Sequence, residues 1–306
     1  MKRTLLAALA TALLVTGCES NPTVGGIMSS LSSGLTIGSG SGSMPSDSGF
    51  QPLKTLKALT TTDISPEQEL QIGREAAAVL LGAAPLVKNE AVQRYVGNVG
   101  QWVAAQAARP DIAWHFGVID TPHVNAFAAP GGFILITRGL LERLEGESEL
   151  AAVLAHEIAH VLQRHYVKGM ISKDRTGAII GLLGEAAASS RGHRYEIGAL
   201  TNVAKGLYSS GLDKDDEYQA DRIGVVLSVR AGYDPYGLAR VLQMYAASSG
   251  DESFELLFGT HPSPQSRLEA LARMIDGRFD AFERSGAQNT AAFDRAVGRL
   301  KRGGRG

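Results

Sequence analysis

Several kinds of residue are scarce in this sequence, and each scarcity excludes a structure or a function. Of the 306 residues only Cys18 is a cysteine, so no disulfide can form within one chain. Aromatic residues make up 6% of the chain, and its 30 basic residues are balanced by 31 acidic ones. Such a chain offers neither the stacking surface nor the excess positive charge that nucleic-acid binding needs. We therefore expect no nucleic acid among its partners.

Long hydrophobic runs are also missing. The internal apolar run at residues 178–183 is far below the ~20 residues that span a bilayer. A second apolar run, at residues 5–15, follows two basic residues and is about half the spanning length. It ends in Val15-Thr16-Gly17-Cys18, which resembles the bacterial lipobox. We predict that residues 1–17 are a lipoprotein signal peptide and that Cys18 carries a lipid. A free thiol after an ordinary signal peptide is the alternative.

The residue after Cys18 gives an expectation about location. It is Glu19 rather than aspartate, and the sorting rules of Gram-negative lipoproteins would then send the chain to the outer membrane. Acyl chains buried in lipid give stable anchoring when two or more are attached. We therefore expect a protein of the cell envelope, anchored through Cys18 to the outer membrane and facing the periplasm.

The rest of the chain divides into three segments. Residues 18–62 are rich in glycine and serine and predict a flexible tether, because they have too little apolar surface to order themselves. Residues 63–278 have helical and strand patterns and predict one domain, whose first helix should begin at Ser65-Pro66. Residues 279–306 are polar and basic and predict a solvated, disordered tail, with contact to anionic lipid as the alternative.

One motif indicates chemistry: His156-Glu157-Ile158-Ala159-His160, within a stretch that has the pattern of an amphipathic helix. A spacing of four residues places both imidazoles on one helix face, where they can bind one zinc ion. Glu157 lies about 100° round the helix and can act as the base that takes a proton from water. Apolar neighbours predict a buried helix, in which two histidines need a partner. A helix with two surface histidines is the alternative.

A third ligand is needed to complete a zinc site. The pattern that ends in a third histidine fails, because Gln163 and Tyr166 stand where it requires glycine and histidine. Glu217 and Asp221 supply another pattern, four residues apart on a second predicted helix. Glu217 would bind zinc, and Asp221 would accept a hydrogen bond from the outer nitrogen of a ligating histidine, the ring nitrogen that faces away from the metal. A solvated acidic face is the alternative.

These residues resemble the metallopeptidase family of HtpX and the type-one CAAX prenyl endopeptidase, in particular its soluble periplasmic lipoprotein branch. The resemblance covers residues 65–275 and rests on four separated motifs in the family's order. They are Asn125-Ala126-Phe127 with Pro130-Gly131-Gly132-Phe133, residues 147–160, residues 217–224, and Thr260-His261-Pro262 with Ser266-Arg267-Leu268. The resemblance implies an α+β fold that is mostly helical, a zincin-like metallopeptidase domain with a small β-sheet beside the HExxH helix.

The resemblance also implies roles for further residues. Residues 133–137 would be the edge strand to which an extended substrate adds through main-chain hydrogen bonds. The candidate substrate-binding residues are therefore Asn125, Gly132, Phe133 and Ile134. His261 would stabilise the oxyanion, and Arg267 would orient site carboxylates or substrate. Two alternatives remain: His261 as a fourth ligand that keeps the enzyme latent, or simple packing at a helix start.

The other histidines are expected to have supporting roles. His165 lies near the end of the zinc helix and should cap or line the site rather than bind metal. His115 and His123 have no paired ligand spacing and are expected to be structural, and His193 stands in a polar stretch and should be solvated.

We predict a metalloendopeptidase, with one zinc ion per chain, that acts on misfolded or misassembled envelope proteins. The resemblance and the predicted location, rather than particular residues, imply this substrate class. Its partners would be polypeptide substrates, the membrane through the lipid on Cys18, and the outer-membrane protein assembly machinery. Two other functions remain open. The chain could be a chaperone or assembly factor with a latent zinc site, or the zinc could be purely structural, which the base Glu157 disfavours.

Overall fold

The computed structural model describes residues 64–172, 213–248, 250–261, 263–279 and 290–303. The predicted signal peptide, the lipidation site Cys18, the tether and His193 lie outside these residues. Within them the chain forms a set of helices packed round a small three-stranded sheet.

The helices differ widely in length, and none of those described is both long and apolar enough to cross a membrane. They are α1 (Pro66–Ala83), α2 (Glu90–Ala104), α3 (Arg138–Arg143), α4 (Glu147–Leu162), α5 (His165–Ser172), α6 (Lys214–Arg230), α7 (Gly237–Ala247), α8 (Glu255–Thr260), α9 (Pro264–Ile275) and α10 (Thr290–Gly303). A short 3-10 turn, Glu252–Phe254, leads into α8. Helix α1 begins as predicted, because Ser65 and Gln68 form a capping box at its start.

The sheet consists of β1 (His115–Ile119), β2 (Ala126–Ala129) and β3 (Phe133–Thr137), in the order β1-β3-β2. Strand β3 pairs in parallel with β1 and antiparallel with β2. The prediction that residues 133–137 form an edge strand is therefore wrong, since both hydrogen-bonding edges of β3 are occupied. All five residues of β3 are buried, and a uniformly apolar strand of this length does not reveal its position in a sheet.

Helix α4, which carries the HExxH motif, is the central helix of the domain. Every residue from Glu147 to Val161 is buried, and the helix packs against α2, α6, α7 and β2. A helix buried on all sides belongs in a core rather than on a surface. A mostly helical domain with a small sheet beside this helix is the predicted fold, and the structure confirms it.

The C-terminal segment differs from its prediction. Residues 290–303 form helix α10, whose Phe293 and Val297 have no exposed surface. The Phe293 ring meets the ring of Tyr95 on α2 edge to face, with centroids 6.4 Å apart. A solvated tail is therefore wrong for these residues, which pack on the domain beyond the boundary predicted at 278. A packed helix was not predicted here because the segment is mostly polar and has only a narrow apolar stripe.

Candidate metal centre

Four side chains from three parts of the fold converge at one point in the core. His156 and His160 come from α4, Glu217 from the first turn of α6, and His261 from the residue that follows α8. One potential ligand atom from each lies within 4.8 Å of all the others. All four side chains are buried, so bulk solvent does not satisfy these polar atoms and they need partners within the protein.

The close approach of α6 to α4 brings Glu217 to the histidines. A Cβ atom added at Gly224 would lie only 3.1 Å from the backbone nitrogen of His156, so a larger residue would push the two helices apart. Ala220 is fully buried on the same helix. Two small residues one turn apart thus allow α6 to lie against α4 along the metal-binding face, as their size suggests in the sequence.

The distances between the donor atoms suit ligands arranged round one cation. The Nε2 atoms of His156 and His160 are 3.0 Å apart. Glu217 places Oε2 3.6 Å from Nε2 of His156 and Oε1 3.5 Å from Nε2 of His160. His261 completes the group, with Nδ1 2.9 Å from Oε1 of Glu217.

The contact made by the outer nitrogen of His156 shows which of its two ring nitrogens faces the centre. Nδ1 lies 3.0 Å from Oδ1 of Asp221. Nη2 of Arg267 also lies 3.3 Å from Nδ1, but the carboxylate is closer and only accepts hydrogen bonds, so Nδ1 of His156 carries the proton and donates it to Asp221. Nε2 of the neutral ring then presents a lone pair to the centre, which is the form in which imidazole binds metal. Asp221 therefore occupies the position that the sequence predicts for it.

The positive charge of Arg267 offsets the negative charge of the two carboxylates at the centre, Asp221 and Glu217. It donates to Asp221 through Nε at 2.9 Å and Nη2 at 2.6 Å, and its Nη1 lies 2.9 Å from Oε2 of Glu217. Burial by itself would raise the pKa of Asp221, but the Arg267 charge and the hydrogen bond from His156 lower it. Arg267 thus orients site carboxylates, one of the two roles expected of it from the sequence.

Glu217 is held as an anion with an oxygen available to a cation. Burial alone would raise its pKa, but the charges of His261 and Arg267 hold the pKa well below its ordinary value. Its Oε2 has the ion pair with Arg267 but no hydrogen bond of good geometry. Two imidazole nitrogens and a buried carboxylate, with a third imidazole beside them, are the donors that divalent zinc prefers, so the residues present fit such an ion.

Glu157 lines a small cavity beside these donors. The cavity has a volume of about 20 Å³, enough for one water molecule, and also contacts His156, His261 and Arg267. Oε2 of Glu157 is buried and has no hydrogen-bond partner among the described residues. Burial also raises the pKa of this carboxyl group. A carboxylate with a free oxygen next to a water-sized space is placed as a general base must be.

The four predicted substrate-binding residues are not all near the donors. Asn125 is buried and reaches Thr260, next to His261, with Nδ2 3.4 Å from the threonine hydroxyl. Gly132 lies in the turn before β3, Phe133 stacks on His115 with ring centroids 4.7 Å apart, and Ile134 is fully buried. Because β3 is central, strand addition no longer supports a substrate role for the last three.

Two side chains at the site were missed or underrated in the sequence. Tyr245 on α7 lines the cavity with Glu157 and Arg267, and burial raises the pKa of its hydroxyl. A tyrosine in an amphipathic helix gives no signal that separates it from ordinary core. His165 is fully buried, and its Nδ1 lies 2.9 Å from Nδ1 of His160. The expectation that it lines the site understates this direct contact with His160, a predicted ligand.

A buried HExxH helix, with a glutamate supplied by a second helix, defines a metallopeptidase of the glutamate-ligand type. The comparison with protein families agrees: the model of peptidase family M48 matches residues 90–275. The chain belongs to peptidase family M48. This assignment confirms the resemblance on which the sequence prediction rests.

Individual relatives give the same result. The beta-barrel assembly-enhancing protease of Escherichia coli K12 is 30% identical over 248 residues, which are 79% of this chain and 50% of that protein. The protein of the same name in Yersinia pestis is 33% identical over 213 residues, 67% of this chain and 43% of that protein. The mitochondrial metalloendopeptidase OMA1 of Arabidopsis thaliana is 32% identical over 171 residues, 56% of this chain and 33% of that protein. The chain thus spans about half the length of the bacterial relatives it matches, or less.

Proposed function

We propose that the chain is a zinc endopeptidase that hydrolyses misfolded or misassembled proteins of the cell envelope. The observation that carries the proposal is the buried cluster of His156, His160 and Glu217, with the Glu157 carboxylate, whose Oε2 has no partner among the described residues, at its side. A purely structural zinc site has no use for such a base. The alternative, an assembly factor with a latent zinc site, shares the metal ligands but not the need for Glu157.

The chain's own residues suffice for the proton transfers of peptide hydrolysis. Zinc held by His156, His160 and Glu217 would supply the Lewis acidity that such a reaction needs. Glu157 takes the proton of the attacking water in the adjoining cavity and delivers it to the amine that leaves. Asp221 holds the ring of His156 in orientation, and Arg267 fixes the carboxylates of Asp221 and Glu217. The enclosure of all these groups excludes competing water and strengthens each electrostatic contact.

The sequence leaves two site roles open for His261, as an oxyanion donor or as a fourth metal ligand. It belongs to the group of four donors, with Nδ1 hydrogen-bonded to the ligand Glu217. Catalytic zinc sites keep one position open for water or substrate, so this geometry favours His261 as a fourth ligand that keeps the site latent. His261→Ala should then raise the rate of cleavage of an unfolded protein. An oxyanion donor would instead make the same variant slower by about 10²–10³-fold.

The proposed substrate class and location are supported by the relatives and by the predicted signal peptide, not by the geometry of the metal centre. The name of the bacterial relatives, beta-barrel assembly-enhancing protease, refers to the assembly of beta-barrels. The predicted signal peptide and lipid on Cys18 would place the chain in the cell envelope, anchored to the outer membrane and facing the periplasm. We therefore include misassembled outer-membrane proteins among the substrates, and their assembly machinery as a partner.

The Glu157→Gln variant of the full chain tests the enzymatic part of the proposal. It should keep about one zinc ion per chain and lose cleavage of an unfolded protein, since the carboxylate acts on water rather than on metal. Glu90→Gln, on an exposed glutamate of α2, is the matched control and should leave both unchanged. Cleavage by Glu157→Gln at the rate of the unaltered chain would rule out this mechanism. Comparison of the envelope proteomes of cells that carry either form would separate a protease from an assembly factor.

The anchor is tested separately by Cys18→Ala. Cells labelled with a fatty acid should incorporate label into the unaltered chain and none into the variant. Label in Cys18→Ala, or no label in the unaltered chain, would contradict the lipoprotein assignment without affecting the proposed chemistry.

A further inference from the structure

His165 stands in a chain of buried contacts that the proposed mechanism does not use. Its Nδ1 lies 2.9 Å from Nδ1 of His160, the ring nitrogen that faces away from the metal ligands. On its other side, Nε2 of His165 lies 2.9 Å from Oε1 of Gln219 and 3.3 Å from Oδ1 of Asp216, both on α6. His165 itself has no exposed surface.

The protons in this chain can be placed by following it inward from α6. The carboxylate of Asp216 only accepts, so Nε2 of His165 carries a hydrogen and donates it. In a neutral ring the remaining nitrogen, Nδ1, is then an acceptor, and His160 must donate its own Nδ1–H across the 2.9 Å contact. That leaves Nε2 of His160 with a lone pair, 3.0 Å from Nε2 of His156.

From this geometry we infer, on the basis of the proposed metal site, that His165 is a positioning residue. It holds the ring of His160 in the orientation and tautomer that bind metal, and it connects this ring to α6. His165 is not itself a ligand, because its Nδ1 faces the outer nitrogen of His160 and it stands outside the group of four donors. Partners of this kind matter, since the loss of one typically weakens metal binding about 10–100-fold.

The backbone between the two histidines explains how residues five apart can meet. Helix α4 ends at Leu162, and Arg164 has a φ of +56°, in the left-handed region that few residues other than glycine adopt. This turn folds the chain back, so that the His165 ring meets the His160 ring edge on, with centroids 5.0 Å apart. An uninterrupted helix would carry residue 165 past that position.

Contacts with α1 hold the turn in this strained conformation. Nη2 of Arg164 donates to the carbonyl oxygen of Ile64 at 2.6 Å, and its Nε forms an ion pair with Glu69. Unfavourable backbone conformations persist only when their surroundings determine them. The start of α1 therefore fixes the turn, the turn places His165, and His165 orients His160.

Two amide substitutions separate the contacts of His165. The amide oxygen of His165→Asn can occupy the position of Nδ1 and accept from His160, but the side chain is too short to reach α6. The amide nitrogen of His165→Gln can occupy the position of Nε2 and donate to α6, but it leaves no acceptor at His160. The two variants are similar in polarity and differ in which neighbour they keep.

The test measures zinc affinity of the full chain by competition with a chelator, together with the unfolding of the metal-free chain. We expect His165→Gln to bind zinc about 10–100-fold more weakly than the unaltered chain. His165→Asn should remain within a few-fold of the unaltered chain, because the contact with His160 is kept. Equal affinities in the two variants, or a change in metal-free stability with no change in affinity, would overturn the assignment, because a merely structural histidine predicts that result.

A measurement on the unaltered chain covers the case in which the variants do not fold. Nitrogen-15 NMR of the imidazole rings should show His160 protonated on Nδ1 and not on Nε2, with and without zinc. Protonation on Nε2 in the metal-free chain would overturn the inference. Failure of the unaltered chain to bind zinc or cleave protein would instead reject the proposed function, so the two failures are distinguishable.

Discussion

The two histidines of the HExxH motif stand one turn apart on the same helix, yet their outer nitrogens have very different surroundings. On the His156 side, defined by His156, Asp221 and Arg267, an anion accepts the imidazole proton and a buried guanidinium balances that anion. On the His160 side, defined by His160, His165 and Gln219, a second imidazole accepts the proton, and this imidazole in turn contacts the amide of Gln219 and the carboxylate of Asp216. The ring of His156 is held by an ion pair in direct contact with it, and the ring of His160 is held by a residue that a local turn places against it.

This difference indicates that the two ligands contribute unequally to the site. A carboxylate raises the basicity of the imidazole that donates to it, and such pairs support metal binding strongly. A neutral imidazole also accepts the outer proton of a ligand histidine and fixes the orientation of its ring, but it brings no negative charge. We therefore expect losses on the His156 side to affect both charge balance and affinity, and losses on the His160 side to affect affinity and geometry alone.

The largest expected effect is that of Glu217→Ala, because Glu217 faces both sides. Its two oxygens lie 3.6 Å and 3.5 Å from the Nε2 atoms of His156 and His160. Removal of Glu217 takes away the only anionic donor of the four and leaves the charge of Arg267, 2.9 Å from its oxygen, facing the site, so zinc should be lost on dialysis and cleavage should fall to background. Metal analysis and a protein-cleavage assay check this, with Glu269→Ala, at an exposed site of α9, as the control. Full zinc retention in Glu217→Ala would place the third ligand elsewhere.

The next effect concerns the buried ion pairs of Arg267, which lie on the His156 side. Arg267→Met removes the partner of two buried carboxylates, Asp221 and Glu217, and breaking such a pair costs about 3–5 kcal/mol. The free energy of unfolding of the metal-free chain, measured in urea, should fall by that amount. Excess zinc should recover part of it, since a bound cation offsets the charge of Glu217.

The control for this prediction is Arg273→Met, an exposed arginine on the same helix. It should change the free energy of unfolding by about 0.5 kcal/mol or less. If the two arginine variants were equally stable, the charge balance assigned to the His156 side would be wrong.

A smaller effect is expected from the acceptor on that side. Asp221→Ala removes the carboxylate that takes the proton of His156 Nδ1, at 3.0 Å, and should weaken zinc binding about 10–100-fold. In Asp221→Asn the amide oxygen can still accept, so this variant should lose less affinity. The same affinity in the alanine and asparagine variants would show that charge alone, and not the hydrogen bond, supports His156.

The comparison of the two sides also shows what could be predicted from the sequence. His156 and His160, and likewise Glu217 and Asp221, were found because helical periodicity places residues four apart on one face. The spacing also predicted that these two faces share one metal site. Periodicity describes one helix at a time, and here it was enough to select side chains that the structure brings together: the three predicted ligands and the partner of His156.

The partner of His160 and the pairing of Arg267 could not be derived in this way. His165 reaches His160 only because Arg164 adopts a left-handed conformation that its residue type disfavours, and no sequence pattern announces such a turn. Arg267 meets Asp221 across 46 residues of chain, which is a matter of tertiary packing. The position of β3 within the sheet and the packing of α10 escaped prediction for the same reason, because both depend on neighbours distant in sequence.

The smallest predicted effect tests how closely the His156 side must pack. A methyl group at Gly224 would lie 3.1 Å from the nitrogen and 3.2 Å from the Cα of His156, so α6 must move by a few tenths of an ångström. Metal sites tolerate only about 0.2 Å of error in ligand distances. Gly224→Ala should therefore weaken zinc binding several-fold. The gain in helix propensity from alanine, up to about 1 kcal/mol, should offset the strain and leave the free energy of unfolding of the metal-free chain nearly unchanged.

In Gly224→Ala zinc affinity should therefore fall while the free energy of unfolding stays nearly the same. The control is Ser228→Ala, one turn further along the same helix. Ser228 is buried, and its hydroxyl has no hydrogen-bond partner among the described residues. Its replacement removes a polar atom without adding bulk, so zinc affinity should stay as in the unaltered chain. Chelator competition measures affinity in both variants, and urea unfolding with chelator present measures stability. If Gly224→Ala bound zinc as tightly as Ser228→Ala, the distance between α4 and α6 would not limit the His156 side, and Asp221 with Arg267 would be sufficient to hold it.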